Sequence, residues 1–267
     1  MPGLPAAADL AAVVLAAGRG TRLRPLTDLL PKALCPVADV PLVDRALDRV
    51  AALAGRPADP SWVAVNAHHL VDLLAAHVGE RVHLSVERPE ALGTAGALGA
   101  LRPWLDGRPV LVTNADAYLD ADLGALVAGW DGERIRLAVV ADHDRPDFAG
   151  AWRYAGVALM PWADVRERKP VPSGLYEVSW DAAERAGRLD LVPIAGTFVD
   201  CGTPPDYLRA NLHASGGESV VGKGATVEGE LVRSVVWPGG RVARGERLVE
   251  RIRAGATLTV PAPQAPP

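Results

Sequence analysis

The sequence predicts an α/β fold built on a doubly wound sheet. Short apolar segments of strand length alternate with segments of helical periodicity between residues 11 and 141, a pattern typical of parallel strands joined by helices. Polar residues follow several of the apolar segments, among them Asn66, Glu87 and the string Asn114-Ala115-Asp116. Because ligands bind beyond the carboxyl ends of parallel strands, we expect these residues to face one shared cleft.

The individual elements follow in chain order from apolar periodicity and helix signals. Residues 11–17 are small and apolar, as in a strand buried on both faces. In the segment 41–54, Pro41 lies where the first turn of a helix tolerates proline, and apolar residues recur at helical spacing. The same criteria predict further strands at 62–66, 82–86, 110–113, 135–141, 154–160 and 197–199. They predict further helices at 69–78, 95–105 and 122–130, within 174–186, and at 204–215.

The segment 219–248 has a different pattern. Val221, Val227, Val235 and Val242 recur at intervals of six to eight residues, each with glycine nearby. This resembles a short, imperfect run of hexapeptide repeats, as in left-handed β-helices. So few coils bury little apolar surface alone, and we expect them to pack on the main domain or to join copies of the chain in a homo-oligomer.

These patterns divide the chain into three parts. We assign residues 1–215 to the main domain and residues 216–259 to the short β-helix-like segment. Residues 260–267 are rich in proline, and we expect this tail to be disordered.

Composition argues against several classes of protein. The chain has 267 residues and a formal net charge of −4, so no basic field indicates nucleic-acid binding. No apolar run is long enough to span a membrane, and the N-terminal residues do not resemble a signal peptide. Two cysteines, Cys35 and Cys201, cannot make a disulfide framework or a four-ligand zinc site. We expect a cytoplasmic protein without nucleic-acid or membrane partners.

The loop after the first strand is suited to phosphate. Gly18 and Gly20 allow a tight turn whose backbone N–H groups approach an anion, and Arg22 offers a planar fork of donors. The loop is not a P-loop, because that string is absent. It is not a dinucleotide fingerprint either, because Leu23 stands where that motif needs its third glycine.

The string from Leu15 to Pro36, LAAGRGTRLRPLTDLLPKALCP, resembles the signature of the sugar-1-phosphate nucleotidylyltransferases, or nucleotide-sugar pyrophosphorylases. The resemblance implies a Rossmann-like doubly wound mixed sheet of the nucleotide-diphospho-sugar transferase type. It implies a nucleoside triphosphate and a sugar 1-phosphate as substrates, with Arg22 and Lys32 on phosphates. The nucleotide-binding residues implied in the loop are Leu15, Ala16, Ala17, Gly18, Gly20, Thr21 and Arg22.

Two carboxylates are the candidate metal ligands. Asp116 follows a buried apolar strand, where it could cap a turn or bind Mg²⁺, which prefers oxygen ligands. The family has a Gly-Asp or Asn-Asp turn here, whereas this chain has Ala115 before Asp116. Residues 197–211, TFVDCGTPPDYLRAN, resemble the family's second metal motif, with Phe198 in place of tryptophan. The resemblance implies that Asp116 and Asp200 hold one Mg²⁺ between them.

The segment after the third strand is the candidate nucleobase site. The string LGTAGAL at 92–98 resembles a family segment that lies against the base, where Gly93 and Thr94 can hydrogen-bond to base edges. Thr94 is equally a common helix cap, and the two roles are compatible. An ionised Glu87 accepts hydrogen bonds without donating any, which suits guanine better than uracil. Asn114, beyond the fourth strand, is a further nucleotide-binding candidate.

The sugar side is less marked in the sequence. Many family members carry a Glu-Lys-Pro string whose lysine contacts the sugar phosphate, and this chain lacks it. Arg153 either supplies that charge or is an exposed loop residue. Gly156 matches a family glycine beside the sugar, and Asn66 and Glu177 are further sugar-binding candidates.

The resemblance implies a Mg²⁺-dependent reaction in which the sugar phosphate attacks the α-phosphorus and pyrophosphate leaves. The implied catalytic residues are Arg22, Lys32, Asp116 and Asp200. The string at 92–96, Glu87 and the β-helix-like tail favour a GTP-binding, mannose-1-phosphate guanylyltransferase-like enzyme. The missing Glu-Lys-Pro string is shared with muramic-acid-1-phosphate uridylyltransferases, so a uridylyl transfer stays open. A non-catalytic regulator that binds nucleotide-sugars also stays open, although the retained lysine and carboxylates argue against it.

Overall fold

A computed structural model of the chain describes residues 10–148 and 151–264. These residues form two compact units, each with its own buried apolar core. The first unit comprises the described parts of Met1–Gly18, Ala46–Ala115 and Leu119–Phe198. The second comprises Arg19–Arg45, Asp116–Tyr118 and the described part of Val199–Pro267.

The elements before residue 215 include most of the predicted ones. The strands are β1 (Ala11–Leu15), β2 (Pro36–Val37), β3 (Val40–Pro41), β4 (Val63–Ala67), β5 (His83–Val86), β6 (Val110–Asn114), β7 (Ala117–Ala121), β8 (Ile135–Ala141), β9 (Trp152–Met160), β10 (Leu189–Pro193) and β11 (Gly196–Asp200). The helices are α1 (Leu26–Leu29), α2 (Leu42–Ala54), α3 (Val71–Val78), α4 (Gly93–Leu105), α5 (Gly124–Val127), α6 (Trp162–Val165), α7 (Asp181–Arg185) and α8 (Pro204–Ala214). The sequence analysis missed β2, β3, β7, β10, α1 and α6, and the helix predicted at 122–130 is only the single turn α5. None of the helices in the described residues has the length and apolar character needed to cross a bilayer.

The first unit is built on a seven-stranded sheet in the order β10-β8-β9-β6-β1-β4-β5. Strand β1 pairs in parallel with β6 and β4, and all five of its residues are buried, as its small apolar sequence predicts. Strand β9 runs antiparallel to both of its neighbours, β6 and β8. The sheet is therefore mixed, which confirms the predicted α/β fold class.

Strand β9 contains a bulge opposite β8. The register between the two strands shifts between Leu137 and Val139. Gly156, in this part of β9, has a φ of +79°, which residues with side chains rarely adopt. A Cβ at Gly156 would lie 3.4 Å from the Cβ of Asn114, so this glycine brings β9 close to the last residue of β6.

Helix α4 presents a face of glycines spaced three residues apart. The segment 169–173 crosses this face at backbone distance. A Cβ at Gly96 would lie 2.3 Å from the carbonyl oxygen of Val171, and a Cβ at Gly99 would lie 2.3 Å from the backbone of Lys169. No side chain fits at either position, so the glycines serve chain packing. The contact between this string and a nucleobase stays a prediction.

The second unit is organised around helix α8. The Tyr207 hydroxyl donates a hydrogen bond to the carbonyl of Pro36 and accepts one from Trp237 Nε1 at 3.0 Å. The Asn211 side-chain oxygen accepts from the N–H of Ala38 at 3.0 Å. Both anchors tie the second sequence motif to the β2–β3 hairpin, which directly follows the first motif.

The C-terminal part of the second unit is a stack of short strands. They are β12 (Val220–Val221), β13 (Thr226–Val227), β14 (Glu230–Val232), β15 (Val235–Val236), β16 (Arg241–Val242), β17 (Arg247–Val249), β18 (Arg251–Ala254) and β19 (Leu258–Pro261). Strands β12, β15 and β18 pair in parallel, as do β13 with β16 and β14 with β17. Of the valines in the predicted repeat, Val235 and Val242 are buried, whereas Val221 is half exposed. The left-handed sense of the coils stays a prediction.

The C-terminal strands share a core with helix α8. Leu208 of α8 belongs to one buried cluster with Val220, Val235 and Ile252. Because α8 and these strands bury their apolar side chains against each other, the structure places no boundary at the predicted residue 215, and both lie in the second unit.

The structure also differs from the prediction of a disordered tail. Strand β19 pairs antiparallel with β18, so Val260 lies opposite Ile252. Ala262 is fully buried, and the N–H of Gln264 donates to Glu250 Oε2 at 3.0 Å. Apolar burial therefore holds this segment in place despite its prolines. Residues 265–267 lie outside the described residues.

The substitution Gly96→Ala should destabilise the protein by about 1–2 kcal/mol. In an open helix interior this change favours folding by about 1 kcal/mol, but here the new Cβ would collide with the Val171 carbonyl and displace the segment 169–173. Urea unfolding followed by circular dichroism measures the effect. Ala100→Gly, at a partly exposed position of the same helix, is the matched control and should lose only about 1 kcal/mol of helix propensity. A raised unfolding midpoint for Gly96→Ala would contradict the close approach.

Candidate active site

Four charged residues from separate parts of the sequence meet in the second unit. Lys32 Nζ lies 3.0 Å from Asp116 Oδ2 and 3.2 Å from Asp200 Oδ1. Arg22 Nη2 lies 3.6 Å from Asp200 Oδ2. The structure thus gathers all four residues that the sequence analysis identifies as catalytic candidates, although their role stays a prediction.

The Lys32 ammonium is nearly enclosed, with 5% of the residue exposed. Its pKa is raised above the usual 10.5: burial disfavours the charged form, but attraction by Asp116 and then by Asp200 outweighs it. Lys32 therefore stays charged at physiological pH. The two carboxylates remain partly open, with 44% of the Asp116 side chain and 25% of the Asp200 side chain exposed, so their oxygens are accessible to a ligand.

Two glycines leave room for this charged cluster. A Cβ at Gly202 would lie 2.8 Å from Arg22 Nη2 and 3.0 Å from Asp200 Oδ1. Gly20 has a φ of +61°, and its Cβ would lie 2.7 Å from Thr27 Cγ2. The Thr27 hydroxyl donates to the Gly20 carbonyl at 2.9 Å, which fixes the loop. The sequence analysis did not select Gly202; its position two residues after Asp200 in the second motif is the signal that could have identified it.

A buried chain of hydrogen bonds links three strand ends in the first unit. The N–H of Ala16, just after β1, donates to Asn66 Oδ1 at 2.6 Å. Asn66 Nδ2 donates to Glu87 Oε1 at 2.7 Å. The N–H of Leu92 donates to Glu87 Oε2 at 2.7 Å. Asn66 and Glu87 are almost fully buried, so these contacts hold the ends of β1, β4 and β5 and the start of α4 together.

The first unit also contains a cavity of about 600 Å³. Three predicted site residues line it: Thr94 and Asn114 from the nucleotide set, and Glu177 from the sugar set. The Thr94 hydroxyl accepts a hydrogen bond from the N–H of Leu175 at 2.8 Å, which fixes the wall that carries Glu177. The volume is typical of small-molecule sites.

Much of the cavity wall is aromatic. Phe148 and Tyr176 are in ring contact at 5.6 Å, and Tyr154 and Trp180 meet edge to face at 4.8 Å. Trp180 is 6% exposed, and its Nε1 has no hydrogen-bond partner within the described residues. A buried donor without a partner costs about 1–3 kcal/mol.

Residues 12–190 match a family model described as the MobA-like NTP transferase domain. The match covers well over half of the chain. The chain belongs to this family. The matched range includes Lys32 and Asp116 and ends before Asp200.

Two relatives resemble the chain in sequence, and one solved structure resembles it in fold. An N-acetylmuramate alpha-1-phosphate uridylyltransferase from Caulobacter vibrioides is 38% identical over 233 residues, which cover 74% of this chain and 94% of the relative. A mannose-1-phosphate guanyltransferase from Emericella nidulans is 29% identical over 229 residues, which cover 74% of this chain and 62% of the relative. The structure of a mannose-1-phosphate geranyltransferase from Thermus thermophilus has a TM-score of 0.69 at 18% identity and 95% coverage of both chains; it supports the fold alone.

Glu87 lies in a different setting from the one predicted for a base-reading residue. It is 2% exposed, and both of its carboxylate oxygens accept hydrogen bonds from within the protein. Asn66, a predicted sugar ligand, is its buried partner. The preference for guanine that the sequence analysis draws from an accessible Glu87 therefore loses its basis.

Gly93 packs closely against another chain segment, and Arg153 lies in a different setting from the exposed loop that was one of its two expected settings. A Cβ at Gly93 would lie 2.6 Å from the carbonyl oxygen of Ser173, so this glycine admits a neighbouring chain segment. Arg153 is not an exposed loop residue: it lies in β9, 3.2 Å from Asp142, with 16% of its side chain exposed. Its guanidinium lies 5.4 Å from the ring centre of Phe198.

The remaining nucleotide-binding candidates lie along the first motif. Leu15 and Ala17 are buried at the end of β1, whereas Gly18 and Thr21 are exposed. Exposed loop residues after a buried strand are the arrangement that the phosphate-loop prediction requires.

The carboxylate pair fits a magnesium ion. Asp116 and Asp200 each place an oxygen within hydrogen-bond distance of the same Lys32 nitrogen, so their oxygens converge. Mg²⁺ is often held by one or two carboxylates together with substrate phosphates. Residues 10–148 and 151–264 contain no group of three or more His, Cys, Asp or Glu side chains placed to bind a metal. The donor set therefore fits a metal bound jointly with phosphates better than a closed protein site.

The substitution Glu87→Gln should reduce stability without selectively changing nucleotide preference. One carboxylate oxygen of Glu87 would be replaced by an NH₂ group facing a donor, Asn66 Nδ2 or the Leu92 N–H, at a cost of about 1–3 kcal/mol. Urea unfolding and the UTP-to-GTP ratio of kcat/KM measure the two effects. Glu90→Gln, exposed in the same loop, is the control. Unchanged stability with an altered nucleotide ratio would show that Glu87 reads the base.

Proposed function

We propose that the chain is a Mg²⁺-dependent sugar-1-phosphate nucleotidylyltransferase that makes a nucleotide-sugar and pyrophosphate. The observation that carries this proposal is the Lys32 ammonium between Asp116 and Asp200, with Arg22 beside it. Nucleotidylyl transfer depends on positive charge around the phosphates rather than on a protein nucleophile. Membership in the MobA-like NTP transferase family supports the same reaction class.

The reaction needs positioning and charge neutralisation. An oxygen of the sugar phosphate attacks the α-phosphorus of the nucleoside triphosphate in line. The new P–O bond forms as the bond from the α-phosphorus to the bridging oxygen breaks, and pyrophosphate leaves with the electron pair. Holding the two substrates in this alignment accounts for much of the rate in such reactions.

Each charged residue has a distinct role in this scheme. Lys32, whose raised pKa keeps it charged, stabilises negative charge at the α-phosphorus. Arg22 and the backbone of residues 18–21 hold the leaving pyrophosphate, since a guanidinium and N–H groups suit phosphate oxygens. Asp116 and Asp200 would hold Mg²⁺, which would neutralise phosphate charge.

We propose UTP as the first candidate donor and GTP as the second. One relative is 38% identical, and the match covers 94% of its length. This relative is named as a uridylyltransferase. The guanyltransferase relative is 29% identical, and the match covers 62% of its length. The argument for GTP from Glu87 requires an accessible carboxylate, whereas the Glu87 carboxylate is buried.

A pyrophosphate-release assay tests the proposed activity. The chain is incubated with Mg²⁺, each common nucleoside triphosphate and a panel of sugar 1-phosphates. We expect release with UTP that requires a sugar phosphate, stops with EDTA and returns with excess Mg²⁺. Absence of release with every pair, from a protein that still binds a nucleotide-sugar, would overturn the enzyme assignment in favour of a non-catalytic regulator.

The substitution Asp116→Asn should lower kcat by at least about 10²–10³-fold because it removes a charged ligand from the site of phosphate chemistry. Folding should persist, since Asp200 still lies 3.2 Å from the Lys32 ammonium and the Asp116 side chain is 44% exposed. Circular dichroism checks the fold, and pyrophosphate release checks the rate. Glu228→Gln, an exposed carboxylate in the same unit, is the matched control and should retain full activity. Retained turnover in Asp116→Asn would refute its assignment as a metal ligand.

A further inference from the structure

The aromatic cavity of the first unit carries a definite charge pattern. Its charged lining residues are two carboxylates, Asp147 and Glu177, and both residues are exposed. No lysine or arginine is among the described residues that line it. The nearby Arg153 is engaged elsewhere, with Asp142 and the ring of Phe198. The cavity therefore presents negative charge and hydrogen-bond acceptors to whatever enters it.

Asp147 is held in place by the surrounding chain, and the Glu177 carboxylate lies against Gly174. Asp147 Oδ2 accepts a hydrogen bond from the N–H of Tyr154 at 2.9 Å. The Glu177 carboxylate occupies space that any side chain at Gly174 would fill, because a Cβ there would meet Glu177 Oε2. Because Gly174 has no side chain, the Glu177 carboxylate can lie in the cavity wall. Carboxylates at this wall accept hydrogen bonds from donor groups and repel anionic groups, so they select among ligands.

The rest of the wall suits the apolar face of a sugar ring. Phe148 and Tyr176 form one aromatic pair and Tyr154 and Trp180 another, and flat rings pack well against C–H groups. Trp180 is nine-tenths buried with an Nε1 donor that has no partner in the described residues.

We propose that this cavity selects the sugar by charge: it takes a sugar 1-phosphate whose ring substituents are neutral or carry an amino group, and it disfavours sugars that bear a carboxylate. Sugar hydroxyl and ammonium groups donate to Asp147 and Glu177, whereas a carboxylate on the sugar is repelled by both. This inference rests on the proposed function and names the substrate class of that site.

The proposal separates this chain from its uridylyltransferase relative in Caulobacter vibrioides. N-acetylmuramate, the sugar in that relative's name, carries a carboxylate, and N-acetylglucosamine is the matching sugar without it. The two can be compared as 1-phosphates, so the acidic group is tested with little other change. Glucuronic acid 1-phosphate and glucose 1-phosphate form a second matched pair.

The experiment compares kcat/KM for pyrophosphate release within each matched pair. For the wild type we expect kcat/KM to be at least about tenfold higher for the uncharged member. The reason is that the two carboxylates near the sugar repel the acidic member. The double variant Glu177→Gln with Asp147→Asn should reduce the ratio to less than about threefold. Glu80→Gln, an exposed residue of the same unit, should leave the ratio unchanged. Equal rates or a preference for the acidic sugars in the wild type would overturn the proposal, as would a ratio that the double variant leaves unchanged.

A binding measurement separates this inference from the proposed activity. Methyl glucoside and methyl glucuronide are titrated into the protein and followed by ligand-observed NMR. If no sugar phosphate is turned over but the neutral glycoside binds at least about tenfold more tightly, the proposed reaction fails and the cavity's selectivity stands. If turnover occurs without the charge preference, the reaction stands and the selectivity fails. Absence of both turnover and glycoside binding overturns both.

Discussion

The second unit depends on one buried lysine. Lys32 is enclosed in protein, and an ammonium group in such a place is strongly disfavoured unless carboxylates surround it. Asp116 and Asp200 meet that need, at 3.0 and 3.2 Å from the same nitrogen. The Lys32 ammonium in turn offsets the repulsion between the two carboxylates, which lie close together. The charges that suit phosphate chemistry are thus the same charges that make the cluster stable.

Other residues of the two motifs contribute to the site through packing. Tyr207 and Asn211 bond to the backbone of the hairpin that follows Lys32, so they hold the lysine-bearing segment against helix α8. Gly202 leaves the space in which Arg22 approaches Asp200. A motif of this kind therefore contains charged residues for chemistry and uncharged residues that keep those charges within hydrogen-bond reach of each other.

In the first unit, the string at 92–98 that resembles a family motif also packs against another chain segment. The glycines of helix α4 admit the segment 169–173 at backbone distance, and that segment leads directly to Gly174 and Glu177 in the cavity wall. Glu87 is buried among donors, which keeps the ends of β4 and β5 and the start of α4 in one arrangement. The exposed side chains of the cavity are consequently the ones open to a ligand, while the buried polar residues maintain the shape of this unit.

The sequence by itself determined the alternation of strands and helices, the mixed α/β class and the identity of the four charged residues, because periodicity and motif spacing are local properties. Tertiary structure decided the burial of Glu87, the setting of Arg153, and the chain segment that meets the α4 glycines. It also decided that the C-terminal strands share a core with α8. Each of these depends on which distant segment supplies a hydrogen-bond partner or an apolar surface. A side chain's residue type limits what it can contact, but the path of the rest of the chain decides what it does contact.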